Sequence, residues 1–306
     1  MADISVIIVT YNSGPHIEAC LNSLAAQTSG DFELLIVDNN SSDDTCSIVR
    51  KTFASARLII NRENGGFSKA VNQGIERSCG EYVLVLNSDV VLREDFIALV
   101  NDSVSRLPAS IAMVSPKILM ADRRRIDSTG LVLSAMRRFY DRGRGYQDKG
   151  QFDNKPDIFG PCAAAALYRR AMLEDIKVDG EYFDEHLFML LEDFDIAWRA
   201  RRRGWKASYI PGLVCFHAGG FSRKKTPLCQ YYSFRNRYLL LLKNAPAFEF
   251  LRLLAIAPAY EIPRLAFVLL CNRYGQRAIR DMRNIAPVML KKRAMIRSMG
   301  LRNSQG

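Results

Sequence analysis

The chain has 306 residues, 48% hydrophobic and 25% charged, with 19 Gly and 11 Pro, a composition that excludes collagenous, low-complexity and charge-dominated disordered chains. Seven scattered cysteines without a C-x-x-C pair argue against a zinc ribbon or a disulfide scaffold and fit a reducing cytosol. The net charge of +11 is unevenly placed: residues 220–306 hold 17 Lys+Arg against 3 Asp+Glu, and residues 1–219 hold 26 against 29, so a near-neutral body carries a basic tail suited to an anionic surface.

Residues 1–11 lack the basic stretch and small-residue cleavage site of a secretory signal, so export is not expected. Ile4 to Thr10 (ISVIIVT) is a nearly unbroken β-branched run that stops at Tyr11-Asn12-Ser13-Gly14-Pro15, the pattern of a strand buried on both faces of a parallel sheet. From Pro15 to Gln27, Ile17, Cys20, Leu21 and Leu24 recur at helical spacing, and Phe32 to Val37 gives a second strand ending at Asp38-Asn39-Asn40-Ser41-Ser42. Asp43 to Phe53 reads as a helix, Arg57 to Asn61 as a strand, Gly65 to Ser78 as a helix and Tyr82 to Leu86 as a fourth strand. This alternation predicts an α/β fold with an open, mostly parallel sheet flanked by helices and a ligand at the carboxyl ends of its strands. In the second half Ile111 to Ser115 is a strand candidate, and loops are expected across Arg137 to Gly150 and the small-residue run Cys162 to Leu167. Glu192 to Arg203 has helical spacing, and Ser208 to Ile210 and Val214 to Phe216 are extended segments around Pro211-Gly212.

Three strands end in polar clusters: Thr10-Tyr11-Asn12, Asp38-Asn39-Asn40-Ser41 and Asn87-Ser88-Asp89. Any one of them reads equally as strand termination and helix capping, but three at one sheet edge favour a site. No G-x-G-x-x-G follows the first strand and no G-x-x-x-x-G-K-[ST] occurs, which argues against dinucleotide dehydrogenases and P-loop enzymes. Without a glycine cradle a pyrophosphate needs another counter-charge. Asn87-x-Asp89 offers an amide and a carboxylate two residues apart, suited to Mg²⁺ or Mn²⁺.

SVIIVTYN (5–12), VDNNSSDDT (37–45), NGGFSKAVNQGI (64–75), LNSDV (86–90) and LEDFDIAWRARRRGW (191–205) stand in the order and spacing of family 2 glycosyltransferases of the GT-A fold. Within that family the chain resembles the bacterial rhamnosyltransferase branch. The resemblance covers residues 4 to 245 and implies an inverting transferase that moves a sugar from a nucleotide diphosphate to a lipid-linked or polysaccharide acceptor hydroxyl. It implies that Thr10, Tyr11, Asn12 and Asp38 hold the nucleoside. Asn39 stands where many relatives have a second Asp, which is compatible with thymine as the base and with deoxythymidine diphosphate rhamnose as donor. Asn87, Ser88 and Asp89 would form the diphosphate and metal motif, joined by His217, while Gly65, Gly66 and Lys69 would lie near the diphosphate. Asp193 would be the general base, with Glu192 beside it to orient the acceptor or raise the base's pKa. Gly160 to Ala164 resembles the acceptor-side loop. Asp195 and Arg199 read instead as an i, i+4 ion pair.

Two regions are expected: a glycosyltransferase domain over 1–225 and a basic helical region over 226–306. Phe250 to Cys271 is long enough to cross a bilayer, yet Arg252, Glu261, Arg264 and two prolines disfavour spanning. Lying on the inner face of the cell membrane through apolar residues and a basic rim is the reading preferred, with a packed helical appendage or a homodimer contact as the alternative. The Arg-interleaved aromatics from Tyr231 to Tyr238 read as core packing, and no nucleic acid is expected. The rival functions are a non-catalytic nucleotide-sugar-binding protein at the membrane, suggested by Asn39 and Asn87 in place of acids, and a nucleic-acid-binding protein, suggested by the tail.

Overall fold

The structure, a computed structural model, describes residues 3–134, 137–219, 226–246, 248, 255 and 257–300. Strands β1 (Ile4–Thr10), β2 (Phe32–Asp38), β3 (Arg57–Ile60) and β4 (Tyr82–Asn87) alternate with helices α1 (Gly14–Ala25), α2 (Thr45–Thr52) and α3 (Phe67–Arg77). They pair in parallel in the order β3-β2-β1-β4, with Thr10 opposite Asp38 and Val9 opposite Asn87. The carboxyl ends of β1, β2 and β4 therefore lie side by side. Alternate residues serve two cores: Ile4, Val6 and Ile8 pack with α1, while Ile7 packs under α3. A strand covered on both faces has no polar positions, hence its unbroken apolar run.

Beyond β4 the sheet continues through β10 (Ala165–Arg169), β6 (Ile111–Met120), β11 (Lys206–His217) and β5 (Val90–Leu92). The expected loop at Cys162 to Leu167 is thus corrected. Ala165 to Arg169 is a central strand, antiparallel to β4, and Ala165, Ala166 and Leu167 are fully covered. Its small residues lack the β-branched signature of a strand but fit a tightly covered layer. The expected loop from Arg137 to Gly150 contains a short strand, β9 (Phe139–Asp141), paired with β8 (Leu131–Leu133). The two extended segments around Pro211-Gly212 are one strand, β11, with a register shift between Ile210 and Val214. Helix α4 (Phe96–Arg106), unread in the sequence, buries Phe96, Ile97, Val100 and Val104, a helical spacing that was available. Strand β7 (Ile126–Ser128) edges β6, and α5 (Arg170–Asp175) and α6 (Glu192–Arg202) complete the body.

The basic region folds back on that body. Helix α7 (Pro227–Asn244) is followed, past a π-helical turn at Ala257–Glu261, by α8 (Ile262–Cys271) and α9 (Arg273–Ser298). Residues 250–254 and 256 of the expected interfacial segment lie outside the described residues. Along α9 the covered positions Gly275, Ala278, Met282, Ile285, Met289, Lys292 and Ile296 step by three and four, the seam of a helix laid along a partner. That partner is α7, whose Tyr231 and Phe234 are buried as core. Glu261 is turned inward, paired with Arg237 at 2.5 Å and Tyr238 at 2.6 Å. Among the described residues no helix is long and apolar enough to cross a membrane.

Two nearly inaccessible lysines tie these helices to the body. Lys243 of α7 reaches Asp184 at 2.6 Å and Asp195 of α6 at 2.9 Å. Lys292 of α9 reaches Asp184 and Glu181, each at 2.7 Å. Asp195 also forms the expected pair with Arg199, at 2.9 Å. Burial would raise the Asp184 carboxyl, but the two lysines outweigh it and hold it well below the usual range. Lys243→Met is expected to lower stability by about 3 kcal/mol, because it takes one of two cations from each of two buried carboxylates. Lys291→Ala, which breaks an exposed pair with Asp179, should cost far less. Denaturant unfolding of the two variants checks this, and equal small losses would show that the lysine is not what fastens α7.

Candidate active site

At the β1–β2 junction Thr10 Oγ1 donates to Asp38 Oδ1 at 2.7 Å, Ser41 Oγ donates to the same oxygen at 2.6 Å, and Ser41 N donates to Oδ2 at 2.8 Å. Asp38 is fully buried and welds the two strand ends. Asn12 sits in the left-handed region at φ 49°, its N–H donating to Ser41 Oγ and its Oδ1 accepting from Ser42 N, each at 2.9 Å. This leaves the Tyr11 ring 52% exposed at the edge. Asn39 reaches the same edge, but both ends of its amide are engaged: Nδ2 donates to Gly66 O at 3.1 Å and Oδ1 accepts from Asn61 at 2.9 Å. Gly66 has φ 88°, and a Cβ there would stand 2.5 Å from the Phe188 ring. The Phe188 carbonyl accepts from Phe67 N at 2.6 Å and Ser68 N at 3.3 Å, so the first N–H groups of α3 are already capped. Lys69 lies against Gly65.

At the end of β4 the turn Asn87-Ser88-Asp89 leads into β5. Ser88 Oγ donates to Ser13 Oγ at 2.9 Å, and Val90 pairs with His217 across β5 and β11. That register puts Asp89 Oδ1 3.1 Å from His217 Nε2. The other ring nitrogen, Nδ1, is 2.6 Å from Asp127 Oδ2 on β7. Sequence reasoning missed Asp127, which is 90 positions from His217 and lies on an edge strand outside the three strand-end clusters. Burial would lower the His217 pKa, but the hydrogen bonds to Asp127 and Asp89 outweigh it and raise it to about 9.

A carboxylate on one ring nitrogen, with the other aimed at a second carboxylate, is how metal-ligating histidines are oriented. The 3.1 Å between Nε2 and Oδ1 is close to the ~3.0 Å between adjacent octahedral ligands, each about 2.1 Å from one cation. These donors therefore fit a divalent cation once Nε2 gives up its proton. A second group of potential ligands, Glu181, Asp184 and His186, does not fit. Lys292 Nζ stands inside it, 2.7 Å from each of the two carboxylates and 3.3 Å from His186 Nδ1. Burial would lower the Lys292 pKa, but Asp184 and Glu181 outweigh it and raise it, so the ammonium holds its proton.

Glu192 and Asp193 open α6. Asp193 Oδ2 accepts from Ala163 N at 3.2 Å and Oδ1 from Phe194 N at 2.8 Å. Burial first, and the Asp141 charge second, raise Asp193 to about 7 against these N–H bonds. Burial and the Asp193 charge raise Glu192 to about 8, and its Oε2 is buried with no hydrogen-bond partner. The Gly160–Ala164 segment links the two halves of the site: Ala163 N donates to Asp193, and Ala164 O accepts from Asn87 N at 2.9 Å. Gly160 permits this approach to α6, since a Cβ there would lie 2.3 Å from Ala197 Cβ.

Residues 5–177 match the sequence profile of glycosyl transferase family 2, and the chain belongs to that family. It is similar to the N-acetylglucosaminyl-diphospho-decaprenol L-rhamnosyltransferase of Mycobacterium tuberculosis, 28% identical over 72% of this chain and 78% of that protein. It is also similar to a PGL/p-HBAD biosynthesis glycosyltransferase of Mycobacterium bovis, 38% identical over 63% of this chain and 68% of that protein. Among solved structures, residues 1–349 of TarS from S. aureus share its fold with a TM-score of 0.61 at 19% identity, over 97% of this chain and 83% of that one. The mannosyltransferase of Pyrobaculum calidifontis, in complex with GDP-Man and Mn²⁺, does so with a TM-score of 0.56 at 19% identity, over 96% and 78%. The fold is the GT-A fold, and the chain is a glycosyltransferase. Asp127→Asn is expected to bring the His217 titration in the cation-free protein down by about 1 to 3 pH units, the effect of losing a close opposite charge. NMR of the ring reads the midpoint, and one left near 9 would remove Asp127 as the ring's partner.

Proposed function

We propose that this glycosyltransferase inverts, taking a sugar from a nucleoside diphosphate to an acceptor hydroxyl with Asp193 as general base. The observation that carries the reading is a buried carboxylate raised to about 7, one residue along the Gly160–Ala164 segment from a bond to the Asn87 turn. In the step, the bond from acceptor oxygen to the anomeric carbon forms as the bond from that carbon to the diphosphate oxygen breaks. The electron pair leaves with the diphosphate and the hydroxyl proton passes to Asp193. An exposed Asp, with a pKa of about 4, is a poor base at neutral pH; burial corrects that. Glu192, raised to about 8, is protonated at neutral pH and offers the acceptor a hydrogen bond.

On the donor side Tyr11 covers the base, Thr10, Asn12 and Asp38 shape its pocket, and Asn39 with Gly65 and Gly66 supports the floor. Lys69 and Ser88 flank the diphosphate. Asp89 and His217, with Asn87 in the same turn, would hold Mg²⁺ or Mn²⁺, which neutralises charge on a departing diphosphate; a mannosyltransferase of this fold whose structure contains GDP-Man and Mn²⁺ supports this. Because His217 is protonated up to about 9, cation uptake releases a proton. The proposed donor is deoxythymidine diphosphate rhamnose and the proposed acceptor is lipid-linked, following the mycobacterial relative that its name describes as an L-rhamnosyltransferase on a diphospho-decaprenol.

Asp193→Asn should lower kcat by about 10² to 10⁴-fold, the usual contribution of a general base, with donor binding by calorimetry unchanged. In the parent enzyme kcat/KM should fall as pH drops through about 7, since protonated Asp193 cannot accept the hydroxyl proton. A variant that retains full turnover would end the assignment.

A lipid-linked acceptor is met at a membrane surface, and we propose that the enzyme is peripheral on its cytoplasmic face. Leu270 and Tyr274 are exposed at the α8–α9 corner, beside exposed Arg273, Arg277 and Arg280, and Ile262 is exposed at the start of α8. Apolar side chains ringed by cations match an anionic headgroup layer. Vesicles of anionic phospholipid should sediment the protein at low salt and release it at high salt. Equal sedimentation with purely zwitterionic vesicles would remove the electrostatic part of this reading.

A further inference from the structure

The turn that leads into the catalytic helix is built against the preferences of its own residues. Phe188, Leu190 and Leu191 have φ of 64°, 68° and 70°, three left-handed side-chain-bearing residues within four positions. Positive φ is sterically disfavoured for a residue with a Cβ, so the turn must be held from outside. Leu191 is also the residue before α6 and caps it with no side-chain hydrogen bond. The direction of the Glu192 and Asp193 side chains is therefore set by the turn and not by a local cap.

What holds the turn is α7. Asn236, fully buried, has Nδ2 2.8 Å from each of the carbonyls of Leu187, Met189 and Leu190. Arg235 donates to His186 O at 2.6 Å and Leu187 O at 3.0 Å, and its Nε donates to Asn236 Oδ1 at 2.9 Å, fixing which way the amide faces. The Phe188 ring stacks on Tyr232 with centroids 5.1 Å apart and planes 4° from parallel. At its far end α7 is itself pinned to α6, with Lys243 and Asn244 both on Asp195, two positions past Asp193.

We infer that Asn236 is a positioning residue for sugar transfer: its amide holds the 187–191 turn in its left-handed form and so keeps the Asp193 carboxylate on Ala163 N, in reach of the acceptor. This rests on the reading of Asp193 as the base. The same turn carries the Phe188 carbonyl that caps α3, but Phe188 is held separately by the Tyr232 ring, so losing the Asn236 amide acts chiefly on Asp193.

The test compares Asn236→Ala, Asn236→Ala with Leu190→Gly, and Asp193→Asn, each assayed with deoxythymidine diphosphate rhamnose and Mn²⁺ below its melting temperature. A displacement of about 1 Å costs on the order of 10²-fold in rate, so Asn236→Ala should lose about that much in kcat while its donor KM stays within twofold. Its pH profile should also shift, the acid limb moving below 7 as Asp193 loses burial. Glycine adopts positive φ without steric cost, so Leu190→Gly should restore at least tenfold of the lost kcat in the double variant, a gain that a merely structural role for Asn236 does not produce. An Asn236→Ala enzyme with parental kcat and pH profile overturns the inference, as does a double variant with no recovery, even where the single variant is poorly folded. If Asp193→Asn keeps full turnover, it is the base assignment that fails, and the comparison separates the two.

Discussion

Asp195 is the hinge on which the arrangement turns. It is fully buried two residues past the proposed base, and a carboxylate so placed is intolerable unless cations and donors surround it. Arg199 supplies one from within α6, but Lys243 and Asn244 come from α7. Helix α6, which carries the proposed base, therefore has its buried Asp195 satisfied only with the C-terminal helices docked. Asp184 repeats the logic with Lys243 and Lys292. A basic tail that reads in sequence as an attachment to something else is, in part, the counter-charge of the body's own interior.

The same docking accounts for how the α/β sheet, with its proposed donor edge at β1, β2 and β4, would acquire an acceptor side. That edge alone supplies the Asp38 weld and the Asn87–Asp89 turn, both assigned to the donor in the proposed reading. The acids of α6 arrive by a different route, through the Gly160–Ala164 segment and the left-handed turn at 188–191. Only the former is bonded directly to the β4 end. Groups proposed to react together on two separately supported elements need a rigid link, and the adjacent residues Ala163 and Ala164, one bonded to Asp193 and the other to Asn87, form a short one.

The donor edge was legible because its signals are local. An apolar strand stopped by Thr10-Tyr11-Asn12 or by Asp38-Asn39-Asn40-Ser41 can be read from a dozen residues, and parallel pairing brings such ends together by rule. Strand β10 was not legible, since a run of alanines carries no β-propensity and takes its conformation from the strands on either side. Asp127 and Asn236 were invisible for another reason: each acts on a partner tens of positions away, through a contact only the assembled fold creates. Asn39 was found, but its amide is bonded to Gly66 and Asn61, and no local pattern announces which way an amide faces. In the tail, the spacing of Tyr231, Phe234 and Tyr238 correctly indicated core, whereas the inward turn of Glu261 depends on Arg237 and Tyr238, 24 and 23 residues upstream.

Among the described residues two clusters of acids could attract a divalent cation, and the proton chemistry of the side chain among them separates the two. At Glu181 and Asp184 the resident charge is a lysine ammonium whose pKa is raised by its partners; neutralising it would set the half-buried Glu181 carboxylate against the buried Asp184 one, so the cluster is closed to a metal. At Asp89 and Asp127 the resident charge is a histidine held to about 9, within about two units of neutrality. Removing that proton leaves Nε2 as a ligand in place, still oriented by Asp127, so the departing charge and the arriving one use the same geometry. An imidazole between two carboxylates thus fills this place without a cation and would yield to the proposed one, which a lysine in that position could not do.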